Sequence, residues 1–264
     1  MIELFQGSLH FIFSGALVGL LVGLTGVGGG SLMTPILTLI FGIAPTTAVG
    51  TDLAFAAITK GTGTAAHRLH GNVKWDIVGL LCAGSLTTAI ATILALKQIG
   101  PISKDWAHLI TFSIGISVLL TALSLTVRAK ILEWVQKNPK RMPHGFGLKI
   151  ATILIGGVIG ILVTISSIGA GAIGATLILM LYPHLKTAEV AGTDIAYAVP
   201  LTALAGIGHW WLGNVDFSLL FGLLAGSVPA IWVGAKLSST LPEKFTRTAL
   251  ALTLLLVGIK LVLT

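Results

Sequence analysis

GLTGVGGGSLMTP, Gly23 to Pro35, interrupts the first apolar stretch of this chain. A membrane-spanning helix is ordinarily an unbroken run of good helix formers, and Gly26, Gly28, Gly29 and Gly30 are among the poorest. A second stretch, TISSIGAGAIGAT from Thr164 to Thr176, breaks a later apolar run in nearly the same way. The two breaks are read here as the two halves of one substrate site.

Composition sets the class. Of 264 residues, 55% are hydrophobic and 9% charged, with a mean hydropathy of +0.98. A soluble domain carries about 25% charged residues, so the chain is expected to be an all-α integral membrane protein, a polytopic helical bundle. The net charge of +7 does not point to nucleic acid, because the basic residues are mostly scattered singly between apolar runs. Their one cluster, Arg128 to Lys149, lies between two spans and is expected to form a cytoplasmic basic loop. No basic segment and no small-residue cleavage site flank the first apolar run, so no cleaved signal peptide is expected. Cys82 is the only cysteine and lies inside a span, which excludes an intrachain disulfide.

The chain repeats itself. A shift of 142 places VGTDLAFA (Val49 to Ala56) on AGTDIAYA (Ala191 to Ala198), His67 on His209, and Gly71-Asn72-Val73 on Gly213-Asn214-Val215. Between positions 49 and 85, 13 of 37 residues are identical to their counterparts, too many and too varied for shared low complexity. Upstream the shift is 141, pairing Gly15 with Gly156, Gly19 with Gly160, Gly28 with Gly169 and Gly30 with Gly171. Repeats of this kind build many transporters. The expected organisation is repeat 1 over 1–127, the basic loop over 128–146, and repeat 2 over 147–264. Each repeat holds a broken segment (9–42; 147–181) and three cleaner spans, roughly 48–66, 76–96 and 106–127, then 190–208, 217–235 and 246–263. A straight helix as long as a broken segment would run about 50 Å, against a hydrocarbon core of about 30 Å. A hairpin turning at the glycines fits better.

Basic residues orient the two repeats. With the 128–149 loop inside and Lys60 set aside within a span, single-crossing broken segments leave 9 basic residues inside and 6 outside. Hairpins invert the second repeat and leave 12 inside and 3 outside, namely Lys97, Lys104 and Lys260. The rule that positive charge stays inside favours inverted repeats.

Backbone leaves the helix at membrane depth only where protein or a wet cavity surrounds it. The helix restarting after each break offers free N–H groups and the positive end of its dipole, which favour an anion. The residues expected to bind substrate are Thr25, Gly28, Gly29, Gly30 and Ser31 in the first break, and Ser166, Ser167, Gly169 and Gly171 in the second. Thr34 and Thr176 bring further hydroxyls. The competing reading is that the glycines only permit close helix packing, which is the favoured one for Gly15, Gly19, Gly156 and Gly160. No Gly-Lys-Ser/Thr follows the glycines, which excludes a phosphate loop.

These features resemble the sulfite exporter TauE/SafE family of membrane permeases. The resemblance lies in the GxxxGLxGVGGG run from Gly19 to Gly30 followed by Pro35, the Gly50-Thr51-Asp52 turn, Gly71 to Val73, and a second copy of each. It covers almost the whole chain. It implies a plasma-membrane permease for sulfite, organosulfonates or related anions, coupled to protons. The second break departs from the first, with Ser167 in place of Gly26 and Ala170 in place of Gly29.

Ionisable residues within spans are costly and usually functional. Asp52 and Asp194 occupy matching positions at the starts of their spans, where they cap the helix, carry a proton or orient the site. Lys60, opposite Thr202 in the other repeat, follows Asp52 by eight residues and so lies close to the same helix face; it neutralises an anion, partners Asp52, or snorkels to the surface. His67 and His209 close their spans, where an imidazole could titrate near neutral pH or could simply sit at the membrane interface. These five are the expected proton-coupling or charge-balancing residues. His67 and His70 lack a third ligand, so no metal is expected, and no cofactor either. Trp210 and Trp211 are expected in an interfacial belt. The expected partners are a small anionic substrate and the lipid bilayer, with a homodimer as the candidate assembly and no nucleic acid. An anion channel, or a carrier of another small organic anion, could use the same breaks. An enzyme is not expected, since neither Gly-x-Ser-x-Gly nor His-Glu-x-x-His is present. The 12-to-3 division places the carboxyl terminus outside. A reporter fused after Thr264 should be active only on the outer face, and cytoplasmic activity would restore parallel repeats.

Overall fold

The computed structural model describes residues 2–25, 30–69, 71–99, 104–138, 143–238 and 243–263. Ten helices account for most of them, with no strand among the described residues. They are α1 (Ile2–Thr25), α2 (Gly30–Leu39), α3 (Pro45–Leu69), α4 (Trp75–Ile99), α5 (Lys104–Lys137), α6 (Gly145–Ser166), α7 (Ala172–Leu181), α8 (Thr187–Trp211), α9 (Phe217–Ser238) and α10 (Glu243–Leu263). Stretches of α4, α5, α6, α8 and α9 are each long and apolar enough to cross a membrane. The protein is therefore an all-helical, multi-pass membrane protein.

Each expected clean span lies within one helix, and the helices run further. The largest difference is in the basic stretch. Arg128 to Lys137 continues α5 instead of forming a loop, so only residues 138–144 separate α5 from α6. Leu132 and Val135 explain this, because they return to the core face at helical spacing, and Val135 is buried. On the outer side Glu133 and Lys137 pair at 2.6 Å one turn apart.

Small residues decide which helices touch. On α1, Gly15 and Gly19 lie against the backbone of Leu223 and Ser227 on α9. On α6, Gly156 and Gly160 lie against Leu81 and Ser85 on α4. Gly226 returns the contact to Ile12, and Gly84 returns it to Ile153. In every case an added Cβ would overlap the opposing main chain. Lipid gives apolar helices little hydrophobic reason to associate, so such close backbone approach supplies the attraction through dispersion. The two sets of contacts exchange when the halves of the chain are exchanged. So do two hydrogen bonds between the halves: the Lys74 N–H donates to Thr193 Oγ1 at 3.1 Å, and the Asp216 N–H to Thr51 Oγ1 at 3.0 Å.

Directions follow from the same contacts. Gly50 of α3 lies beside Asn214 at the far end of α8, Gly63 beside Ile195, and Asn72 beside Gly192, so α3 and α8 run antiparallel. Gly115 and Leu119 of α5 meet Leu261 and Gly258 of α10 in the same antiparallel sense. Helices in matching positions of the two halves thus run oppositely where they meet. The start of α5 and the end of α10 share one end of the bundle.

The glycine contacts carry a stability test. Gly84→Leu and Gly226→Leu should each cost about 1–3 kcal/mol or more, because nothing opposite can yield except main chain. Gly79→Leu, with open space beside it, should melt like the wild type. Thermal melts in detergent read the difference, and equal melting of all three would mean the close contacts contribute nothing.

Candidate functional site

The second break can be described throughout. Helix α6 ends at Ser166, five residues cross the gap, and α7 begins at Ala172. The arms are antiparallel: Thr152 near the start of α6 hydrogen-bonds Tyr182 beyond the end of α7 at 2.8 Å, while Gly169 lies against Val163. With 10 residues α7 is about 15 Å long. It therefore restarts well inside the bundle. Ser167 caps α6 with φ 60°, its N–H donating to the Val163 carbonyl at 2.8 Å. Gly169 and Gly171 both adopt φ 137°, a region that a side chain disfavours. Ser166 Oγ donates to the Leu162 carbonyl at 2.7 Å and accepts the Ile168 N–H at 3.2 Å. Ser166 and Gly171 thus shape the turn, whereas the Ser167 hydroxyl is buried and lies beside the Asp52 carboxylate without a well-formed hydrogen bond.

Of the first break, Gly28 and Gly29 lie outside the described residues, as does the side chain of Thr25. Gly30 opens α2, and Ser31 in its first turn is buried. Thr34, one turn on, donates its hydroxyl to Asp52 Oδ2 at 2.5 Å.

Asp52 and Asp194 are not helix caps. Their helices begin seven residues earlier, at Pro45 and Thr187, because Gly50 and Gly192 continue the helix and admit a neighbouring backbone instead of breaking it. Both carboxylates are buried, at 0% and 3% exposure. Lys60 is buried too and does not snorkel: its ammonium donates to the Ala170 carbonyl at 2.9 Å, inside the second break. It acts electrostatically on both Asp52 and Asp194 without forming an ion pair with either. The Ser167 hydroxyl lies beside the Asp52 carboxylate, and the Gly171 N–H beside that of Asp194. Residues from α2, α3, α8 and the second break thus converge on one buried polar cluster. Asp52 Oδ1, Asp194 Oδ1, Ser167 Oγ and the Tyr197 hydroxyl are buried without a well-formed hydrogen bond, Ser167 lying beside Asp52 and Tyr197 beside Asp194. Each such buried group costs roughly 1–3 kcal/mol unless something satisfies it.

The histidines do not join this cluster in the same way. The side chain of His67 lies outside the described residues. His209 is buried near the end of α8, where Nε2 meets the Thr164 carbonyl at 2.9 Å. Trp211 is only half exposed and carries Lys97 over its ring, with Nζ 3.5 Å from the centroid. Sequence reasoning missed Tyr197 and Ser124. Tyr197 points with Asp194 at Gly174, where an added Cβ would strike both side chains. The Ser124 hydroxyl lies 2.7 Å from Thr176 Oγ1 and 3.0 Å from the Ala172 carbonyl, its single hydrogen tying α5 to the first turn of α7. Tyr197 was findable, three residues beyond Asp194 on the same helix face. Ser124 carries no such signal. Among the described residues no cluster of metal-ligating side chains is found.

Comparison with known proteins places this geometry. The family profile described as "Sulfite exporter TauE/SafE" matches residues 11–261. The chain is 35% identical over 255 residues to a probable membrane transporter protein, YjnA, of Bacillus subtilis strain 168, covering 97% of this chain and 100% of the relative. It is 30% identical over 246 residues to a second, YdhB, of the same organism, covering 93% and 96% respectively. A probable membrane transporter protein of Haemophilus influenzae is 24% identical over 288 residues, covering 98% and 100%. No solved structure matches.

The Thr34–Asp52 bond can be weighed directly. Thr34→Val should cost about 1.5–3 kcal/mol if the acceptor is charged, and about 0.5–1.5 kcal/mol in an Asp52→Asn background. A double-mutant cycle on melting temperature reads that difference. Equal losses in both backgrounds would mean that the hydroxyl does not support the carboxylate.

Proposed function

The chain belongs to the sulfite exporter TauE/SafE family, a family of membrane transporters, and from that premise we propose that it is a proton-coupled secondary transporter of a small sulfur oxoanion such as sulfite or an organosulfonate. The observation that carries the reading is the buried set of Asp52, Lys60 and Asp194 gathered at a broken helix. Lys60 supplies the positive charge an anion needs in a medium that does not hydrate it. The first turns of α2 and α7 supply N–H groups at helix N-termini. Gly30, Ser31, Ser167, Gly169 and Gly171 are the residues we assign to substrate, with Thr25, Gly28, Gly29 and Ser166 completing the two breaks.

Charge balance favours protons as the coupling ion. Two ionised carboxylates and one ammonium leave the set net negative. An anion added to it at low dielectric meets repulsion of several kcal/mol. One proton on Asp52 or Asp194 removes that repulsion, so anion and proton occupy the site together. Inverted repeats, one half of the chain rocking against the other about this site, would expose it alternately to the two faces.

Flux of radiolabelled sulfite, ethanesulfonate and thiosulfate into proteoliposomes, with and without a pH gradient, tests the reading. Saturable flux that responds to the gradient is expected. Conduction that neither saturates nor responds would make the protein an anion channel. Gly30→Leu should abolish flux in a folded preparation, and Ser31→Ala should weaken binding about two- to tenfold. Asp52→Asn and Asp194→Asn should flatten the pH dependence. Unchanged affinity in Gly30→Leu would move the site away from the break.

A further inference from the structure

The glycine seams join helices from opposite halves of the sequence. α1 meets α9, and α4 meets α6, so closely that a Cβ added at Gly19, Gly84, Gly156 or Gly226 falls less than 3.0 Å from facing main chain. Thr88 of α4 also donates its hydroxyl to the Gly157 carbonyl of α6 at 2.8 Å. Moving one sequence half against the other would strain both seams at once, and main chain packed on main chain has no side chain that can give.

The remaining contacts divide the helices into two units. In one, α1 holds α9, α9 reaches α3 through the Asp216 N–H on Thr51 and the Asn214 carbonyl against Gly50, and α3 holds α2 through Asp52 and Thr34. In the other, α6 holds α4, and α4 reaches α8 through the Lys74 N–H on Thr193 and Ile93 against Gly208. There α8 also holds α6 through His209 and the Thr164 carbonyl, and α7 through Asp194 and Tyr197 at Gly174. The repeat offset carries one unit onto the other. Each has three successive helices from one half and a fourth from the opposite half. α5 and α10 flank them, α5 tied to α7 through Ser124 and α10 packed beside α2. Where α5 and α10 meet, at Gly115 and Gly258, the nearest facing atoms belong to the side chains of Val262 and Leu119, which can turn.

The units face each other along α3 and α8. The approach is looser there: a Cβ at Gly206 would stop 3.2 Å from Ala54, and one at Gly63 would stop 3.6 Å from the Ile195 side chain. The buried polar cluster lies in this face. Asp52 and Lys60 come from one unit, and Asp194, Tyr197 and Ser167 from the other. The bond from Lys60 to the Ala170 carbonyl crosses between them at 2.9 Å.

We propose that the bodies that rock during transport are these interleaved units, α1–α3 with α9 and α6–α8 with α4, and that they slide on each other along α3 and α8. The proposal rests on the transport reading and adds which helices travel together. The substrate site is then the moving interface itself, and the Lys60–Ala170 bond is the link between units that the movement makes and breaks.

Cross-linking the full chain in proteoliposomes tests this, in a Cys82→Ala background that leaves no other cysteine. Ethanesulfonate is the probe, because it carries no nucleophilic sulfur that would attack a disulfide. A Cβ at Gly157 lies 3.3 Å from the Thr88 methyl, within reach of a disulfide, whose Cβ atoms stand about 3.5–4.5 Å apart. Thr88→Cys with Gly157→Cys therefore locks α4 to α6, and the matching pair by the repeat, Ala230→Cys with Ala16→Cys, locks α9 to α1. Gly63→Cys with Ile195→Cys locks α3 to α8. Oxidised seam variants should keep the flux of their reduced forms, although each disulfide joins the two sequence halves. The oxidised α3–α8 variant should lose its flux and regain it on reduction. Flux blocked in either seam variant overturns the proposal, and so does flux that persists with the α3–α8 disulfide formed. Spin-label distances test the same division without flux. Phe13 and Ile90, both lipid-facing, share a sequence half but not a unit, while Ile90 and Leu154 share a unit but not a half. With labels on Phe13→Cys, Ile90→Cys and Leu154→Cys, acidification or added ethanesulfonate should shift the first distance and leave the second fixed. The reverse result, or no shift in either, overturns the proposal. If no sulfur oxoanion is carried at all, the transport reading falls, and the division of the helices is decided by these distances alone.

Discussion

An ammonium from the first half of the chain holds a carbonyl oxygen in the broken helix of the second. The bond from Lys60 to Ala170 matters because main chain that leaves the helix at membrane depth has no water to turn to. The N–H and C=O groups released between Ser166 and Ala172 need partners in the protein or in a wet cavity. The Ser166 hydroxyl takes one, the Gly174 N–H returns to the Gly169 carbonyl at 2.9 Å, and the lysine takes Ala170. A lysine placed there must itself be stabilised, and the nearest carboxylates, Asp52 and Asp194, come from α3 and α8, one in each half. The break, the cation and the two acids therefore stand or fall together.

This dependence explains why α3 is the least membrane-like of the long helices. It carries Asp52, Lys60 and a series of threonines and glycines, and it survives at the centre because α8 and α2 cover it. Val49, Leu53 and Phe55 bury it in the core, and its position is set further by close backbone approach at Gly50 and Gly206 and by two reciprocal bonds through Thr51 and Thr193. The outer helices do the opposite. α1 with α9 and α4 with α6 meet along glycine seams and present large apolar side chains such as Phe13, Leu154 and Trp232 outward. The result is a polar centre held between two small-residue seams.

The same centre links geometry to transport. A lysine between two acids is a poor site for an anion until a proton arrives. Under the proposed function, the buried oxygens of Asp52 and Asp194 and the Ser167 and Tyr197 hydroxyls are the polar groups an anion and its proton would meet. Proton linkage at this centre would then make anion and proton two parts of one cargo.

Much of this was legible in the residues alone. Composition identified a membrane protein, because 9% charged residues cannot cover a soluble surface. The offset of 142 matched α3 with α8, and the glycine runs located both breaks, since glycine is where a helix can stop inside a membrane. The broken segments are indeed pairs of helices, α1 with α2 and α6 with α7. Asp52, Asp194 and Lys60 stood out because charge in a span is rare. What sequence could not supply is contact between distant segments. It misplaced Asp52 and Asp194 as helix starts, because a helical glycine that admits a neighbour is indistinguishable along one chain from a glycine that ends a helix. It took the basic stretch as loop, because the core on which Val135 lands is built by other helices. It left Lys60 between anion partner and snorkelling side chain, and only the fold brought Ala170, 110 positions away, within reach of its ammonium. Local pattern determined which residues were unusual, and tertiary packing decided what each of them is bonded to, because burial and partnership are properties of neighbours that the chain order does not contain.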